Sequence, residues 1–139
     1  MRTLYADTGY LLYRLGLRSG QLFNAFLQDS GLRLRHYAVL RFLESGEGAL
    51  QRELSARLGY DPSAIVGLVD DLEKRGLAER RVAFADRRRR IVVLTGDGHA
   101  FLREHDTAGP RVTDELLAPL DPVERRILHR LLLRVADRP

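Results

Sequence analysis

In the stretch RRVAFADRRRRIVVLTGDG, residues 80–98, six of the eleven positions from Arg80 to Arg90 are arginine and one, Asp86, is acidic. Guanidinium groups at this density bind a polyanion, either nucleic acid or an anionic membrane surface, unless they remain a solvated face. The apolar segments VAF and IVVL flank the run ADRRRR, so the charges sit where a β-hairpin turns rather than along a helix. Arg87, Arg89 and Arg90 then alternate in direction along a strand, and not all of them face one ligand. Phosphate would repel Asp86, which is expected to shape the tip by bonding to neighbouring arginines or turn amides.

Other chemistries are poorly provided for. His99, Glu104, His105 and Asp106 gather in one helical segment, but histidines six apart do not share a helix face, and neither a nucleophile nor a glycine-rich phosphate loop accompanies them. The expectation is no enzyme, no metal and no cofactor. Cysteine is absent, which excludes disulfides, thiolate metal sites and thiol-based sensing. No apolar run is long enough to span a bilayer, and MRTLYADTGY lacks the apolar centre of a secretory signal, so a cytoplasmic protein without membrane partners is expected. With 139 residues, 45% hydrophobic and 30% charged, the chain can bury one core; its net charge of +4 makes the basicity a patch rather than a global property.

The elements that position this patch follow from periodicity. Apolar residues recur at helical spacing from Leu4 to about Leu27, and Gly31 breaks the pattern before Tyr37, Val39, Leu40, Phe42 and Leu43 resume it. Gly46 and Gly48 end that second helix. Two short helices follow: one carries Leu50, Leu54, Ala56 and Leu58 and stops at Gly59, and the other starts with Asp61 as N-cap and Pro62 as first residue and stops at Gly76. Helices joined by a short glycine-containing turn form a helix-turn-helix, whose second helix can enter a DNA major groove. The hairpin comes directly after it. Thr95 caps a further helix that runs toward Leu117 with a bend at Gly109-Pro110. In the last helix Asp121, Pro122 and Glu124 form the start, and Ile127, Leu128, Leu131, Leu132 and Val135 an apolar stripe.

With these residues placed, the chain resembles the MarR-type winged-helix transcriptional regulators. The likeness covers nearly the whole chain: the order of elements, the joint LEKRGLAERR, and the closing DPVERRILHRLLLRVA. Its most specific part is the wing signature Asp-x-Arg-x5-Leu-Thr, present as Asp86, Arg88, Leu94 and Thr95, with Gly98 following. The resemblance implies one domain over residues 1–139, mainly α with a small β-hairpin wing (α+β). Within it, residues 32–95 form a winged helix-turn-helix lobe, and residues 1–30 and 97–139 a helical dimerisation region. The terminal helices carry more apolar residues than so small a lobe can bury, which agrees with a homodimer. Its two recognition helices are expected roughly 34 Å apart, one DNA turn.

The function so implied is that of a sequence-specific, double-stranded DNA-binding repressor, homodimeric and ligand-responsive, on a palindromic operator. The alternative is a winged-helix interaction module that applies its basic wing to RNA or to a protein partner. By resemblance Arg88 reaches the minor groove from the hairpin tip, with Arg87, Arg89 and Arg90 beside it. The recognition helix buries Ile65, Leu68, Val69 and Leu72 and shows Ser63, Gly67, Asp70, Asp71 and Lys74. Val66, Gly67 and Asp71 stand where the family commonly has a hydroxyl or arginine. Asp70 or Asp71 either accepts from a cytosine amine or pairs with Lys74 or Arg75. Phosphate contacts are expected from Arg35, His36, Gln51 and Arg52. A small aromatic or anionic effector would find Tyr10, Tyr13, Arg14, His36 and Tyr37, although aromatics at this spacing equally make core.

Overall fold

The computed structural model describes residues 3–136, so the outer ends of the expected dimerisation region, residues 1–2 and 137–139, lie outside the described residues. Asp7 decides where the first helix begins. Its carboxylate accepts the N–H groups of Gly9 at 3.0 Å and Tyr10 at 3.4 Å, so helix α1 runs Thr8–Phe26, and Leu4–Ala6 forms a separate 3-10 turn instead of its first residues. Helix α2, Leu34–Glu44, is capped from outside: Asn24 of α1 accepts the Leu34 N–H at 2.8 Å, and His36 Nδ1 accepts the Arg33 N–H at 3.2 Å. These bonds satisfy donors that a helix start otherwise leaves to water.

Helices α3, Gln51–Leu58, and α4, Pro62–Lys74, form the helix-turn-helix. Gly59 closes α3 at φ 72°, a left-handed conformation that a side chain would disfavour. Asp61 holds the N-cap position of α4, but its carboxylate makes no capping bond; its backbone carbonyl accepts from Ile65 N–H at 3.0 Å. Strands β1, Ala78–Val82, and β2, Arg90–Leu94, pair antiparallel from Ala78 opposite Leu94 to Val82 opposite Arg90. Ala49 adds one residue to the edge of β2, exchanging backbone bonds with Val92 at 2.9 and 2.8 Å.

The single helix expected after Thr95 is two, α5 Gly96–Glu104 and α6 Ala108–Leu116. The break falls at residues 105–107, not at Gly109-Pro110: Pro110 lies in the first turn of α6, where its missing N–H has no intrahelical partner to lose. Thr95 Oγ1 caps α5 by accepting from Gly98 N–H at 3.0 Å and donates to the Gly76 carbonyl at 2.6 Å. Helix α7, Pro122–Ala136, starts with a reciprocal pair: Asp121 N–H donates to Glu124 and Glu124 N–H to Asp121, at 3.0 and 2.9 Å.

One core unites the lobe, with Leu27, Leu40, Leu54, Ile65, Leu72 and Leu102 fully buried from α1 through α5. Phe42, expected inward, is only half-buried at its edge. Neither α1 nor α7 buries a single described residue. Leu12, Leu15 and Leu17 on α1, and Ile127, Leu131 and Leu132 on α7, are all more than 40% exposed. Arg125 ties α7 to α6, donating to Asp114 at 2.9 Å and to the Leu120 carbonyl at 3.1 Å, but the apolar stripe stays exposed among the described residues.

Candidate nucleic-acid interface

The hairpin turns over residues 83–89, and its tip is closed by its own bonds. Ala83 N–H donates to the Arg89 carbonyl at 2.7 Å, Arg89 N–H to the Asp86 carbonyl at 3.0 Å, and Arg88 N–H to the Asp86 carboxylate at 3.0 Å. Asp86 also lies 3.7 Å from the Arg89 guanidinium. Arg87, Arg88 and Arg89 therefore sit in the turn, and of the four arginines Arg90 alone is in a strand, so the expected alternation along one strand does not apply to this run. All four are exposed. Phe84, expected to belong to the strand through VAF, stands outside β1 and is fully exposed.

On α4, Ile65, Leu68, Val69 and Leu72 are buried, which leaves Ser63, Gly67, Asp70 and Lys74 on the outward face at 100° per residue. Neither acid pairs as the sequence suggested, with Lys74 or Arg75. Asp71 accepts from His36 Nε2 at 2.9 Å, and Asp70 lies 2.8 Å from Arg80. Arg75 donates instead to the Ser30 carbonyl, pinning the end of α4 to the turn after α1. The reason is spatial. The first turn of α2 and the root of the hairpin flank α4 and offer donors closer than its own long, solvated cations.

Arg80 is the residue that sequence reasoning missed. Its Nη1 lies 2.8 Å from Asp70 and 3.0 Å from Glu73, its Nε donates to Gln51 Oε1 at 2.9 Å, and its backbone N–H donates to Glu73 at 2.9 Å. One side chain, 19% exposed, thus joins α3, α4 and β1. That backbone N–H, and then the guanidinium, hold the Glu73 carboxyl below its usual value. A signal existed: Arg80 is two residues after buried Ala78, on the inward side of the strand, where a cation needs carboxylates.

Gln51, Arg80, Arg90 and Val92 line a concavity of about 230 Å³, which brings Gln51 and Arg90 together. Gln51 is already bound to Arg80 there, whereas Arg52 is exposed. Arg35 packs its guanidinium over the Tyr60 ring at 4.9 Å.

The five residues expected around an effector are not gathered. Tyr37 is buried, tilted against Phe23 at 5.8 Å, and accepts from Arg41 at 2.8 Å. His36 is committed to Asp71, Arg14 donates to Tyr5 at 2.7 Å, Tyr13 is exposed and Tyr10 half-buried on α1. A cavity of about 440 Å³ lies instead between α1, the start of α2 and the helix-turn-helix turn, with Leu17, Asn24, Arg33, Leu34, Arg35 and Tyr60 among its walls. A second, more apolar cavity of about 530 Å³ separates α1, α6 and α7. Among the described residues no group of His, Asp and Glu is placed to hold a metal ion, and no helix is long and apolar enough to cross a membrane.

Residues 30–89, which span the helix-turn-helix and the wing, match the sequence model of the MarR family. The transcriptional repressor Rv2887 of Mycobacterium tuberculosis is 30% identical over 130 residues, covering 91% of this chain and 94% of the repressor. A MarR-family transcriptional regulator from Rhodococcus sp. RHA1 superposes with a TM-score of 0.90 at 31% identity, with both chains fully covered. CouR from Rhodococcus jostii RHA1, solved with p-coumaroyl-CoA, gives 0.87 at 32% identity over 100% of this chain and 98% of its own. Rv2887 has also been solved in complex with DNA and superposes at 0.78 with 26% identity, covering 93% of this chain and 97% of that one.

Proposed function

Because the chain belongs to the MarR family of transcriptional regulators, we propose that it is a cytoplasmic, homodimeric, ligand-responsive repressor of double-stranded DNA. The observation that carries this reading is the pairing of an arginine-tipped hairpin with a helix-turn-helix through the Arg80 cluster. The DNA complex of Rv2887 supports the same use here. In this reading α4 enters a major groove, Arg88 reaches the adjacent minor groove, and Arg87, Arg89, Arg90 and Arg52 meet phosphates, with Ser63, Gly67 and Lys74 on the groove-facing side of α4. Arg35 and Gln51 serve the interface indirectly, through Tyr60 and Arg80. Asp86 keeps the tip in its closed shape.

Two copies are proposed to associate through α1 and α7, where Leu12, Leu15, Leu17, Leu131 and Leu132 stay more than 40% exposed among the described residues, so that residues 1–30 and 97–139 form the dimerisation region and 32–95 the reading lobe. The effector site is proposed to be the 440 Å³ cavity, not the Tyr10, Tyr13, Arg14 and Tyr37 set. Arg33 and Arg35 give it two cations, which suit a carboxylate or phosphate, and Leu17, Leu34 and Tyr60 an apolar wall for an aromatic body. The aromatic thioester seen in CouR has this chemistry.

A gel shift with the DNA upstream of the protein's own coding region tests the core of this reading. Saturable binding that resists competitor DNA is expected; its absence, together with retention of single-stranded RNA, would replace the operator by an RNA partner. Aromatic carboxylates that raise the melting temperature and release the DNA would identify the effector class, and Arg35→Ala should abolish their effect.

A further inference from the structure

A helix that enters a groove between two rows of phosphates should not expose uncompensated carboxylates, yet α4 carries Asp70, Asp71 and Glu73 in four consecutive positions. Each is engaged by a group from a neighbouring element. Asp71 accepts a hydrogen bond from His36 Nε2, the donor of the tautomer whose Nδ1 accepts from Arg33 N–H. Asp70 and Glu73 share the Arg80 guanidinium at 2.8 and 3.0 Å. Their side chains are 49% and 41% exposed, against 19% for Arg80, so the acids lie toward solvent and the arginine is wedged behind them. Gln51 and the Val66 carbonyl, at 2.9 and 3.4 Å, accept from its Nε and Nη2, so four of its five N–H donors are used within the protein.

We propose that Arg80 is a positioning residue of the DNA interface, holding Asp70 and Glu73 on one guanidinium so that the cluster carries one net negative charge instead of two as α4 approaches the phosphates. This inference rests on the DNA-binding reading. It assigns Arg80 an electrostatic duty distinct from a phosphate contact, since four of its five donors are bonded within the protein, and distinct from a mere clamp between α3, α4 and β1.

The three roles separate in a substitution series measured on mixed-sequence duplex DNA, where base readout does not contribute. Arg80→Gln should lose about tenfold in affinity, the effect of exposing one further unit charge to the phosphates at an intermediate dielectric. The loss should shrink as salt rises, because screening lengths fall to about 8 Å at physiological ionic strength. Adding Asp70→Asn and Glu73→Gln to Arg80→Gln should restore binding to within about threefold of the parent, since the repulsion is then removed at its source. The Asp70→Asn, Glu73→Gln pair with Arg80 kept is the reference: a direct phosphate contact makes the Arg80→Gln loss as large in that background as in the parent, compensation makes it smaller, and a triple variant as weak as Arg80→Gln overturns the proposal. Should Arg80→Gln fail to fold, Asp70→Asn with Glu73→Gln in the Arg80 background decides: affinity rises and the salt dependence steepens if Arg80 compensates charge, and unchanged or weaker binding refutes it. A parent protein that binds no duplex refutes the DNA reading and this inference with it.

Discussion

Replacing Gly98 by alanine is expected to be among the most damaging single-methyl changes available, and the reason can be worked from one contact. A Cβ at this position would lie 2.1 Å from the Leu77 carbonyl oxygen and 2.6 Å from Leu94 Cδ1. Ordinary carbon to oxygen contacts are about 3.3 Å, so α5 and the start of the hairpin would have to separate by roughly 1 Å. Neither side is free to move. The Leu77 carbonyl accepts from Thr95 N–H at 3.1 Å, Thr95 Oγ1 donates to Gly76 at 2.6 Å, and Gly98 N–H donates back to Thr95 Oγ1 at 3.0 Å. Overpacking of this kind costs about 1–3 kcal/mol, and weakening two or three such bonds adds about 0.5–1.5 kcal/mol each. The sum, about 3–5 kcal/mol, is a large part of a typical domain stability, and at about 3–5 °C per kcal/mol for this chain length the melting temperature should fall by about 10–20 °C. Circular dichroism at fixed protein concentration measures it. Gly67→Ala is the internal control: its Cβ meets nothing within 4 Å, so the same methyl should stabilise by up to about 1 kcal/mol through helix propensity. A Gly98→Ala protein melting within about 2 °C of the parent, on the scale just given, would refute the account of this joint.

At the wing, Arg88→Ala should cost on the order of 1–3 kcal/mol of operator affinity and weaken any preference for A·T-rich flanks, whereas Arg87→Ala and Arg90→Ala should lower affinity evenly and flatten the salt slope by up to about one unit. Filter binding on flank variants distinguishes the two, and the ordering fails if Arg88→Ala binds like the parent. Ile127→Glu with Leu131→Glu, on the uncovered face of α7, should give a monomer mass by light scattering at micromolar protein. Glu73 is held below its ordinary value of 4.5, so its contribution to stability is fully present above that value and is lost as the pH falls through the lower folded one. Acid unfolding should therefore be less steep in Glu73→Gln than in the parent below about 4.5, with matching slopes above it.

The order of elements was legible because local signals agreed: glycine at the end of α3, Pro62 at the start of α4, alternation in the hairpin, and the reciprocal pair at the start of α7. Two boundaries were missed: at Asp7, whose capping carboxylate overrode periodicity, and at the break between α5 and α6, which falls before Pro110. Partners of charged residues were the least legible. Sequence spacing favours pairs three or four apart on one helix, but Asp70 and Asp71 found Arg80 and His36, ten and thirty-five positions away. Tyr37, read as either pocket or core, is a core residue because its ring is buried against Phe23.

The two ends of the hairpin obey different constraints. At its root Val92 is buried, Ala49 is bonded to it, and Arg80 is fixed to α3 and α4. At its tip residues 84–89 are all exposed and close on one another through Asp86. A change at the root disturbs packing; a change at the tip alters what the wing touches while the fold keeps its contacts. The tip is in effect an exchangeable cassette. Sequence change can accumulate there while the scaffold answers separately to selection for stability, and in an engineered protein the same segment can be replaced without redesigning the core.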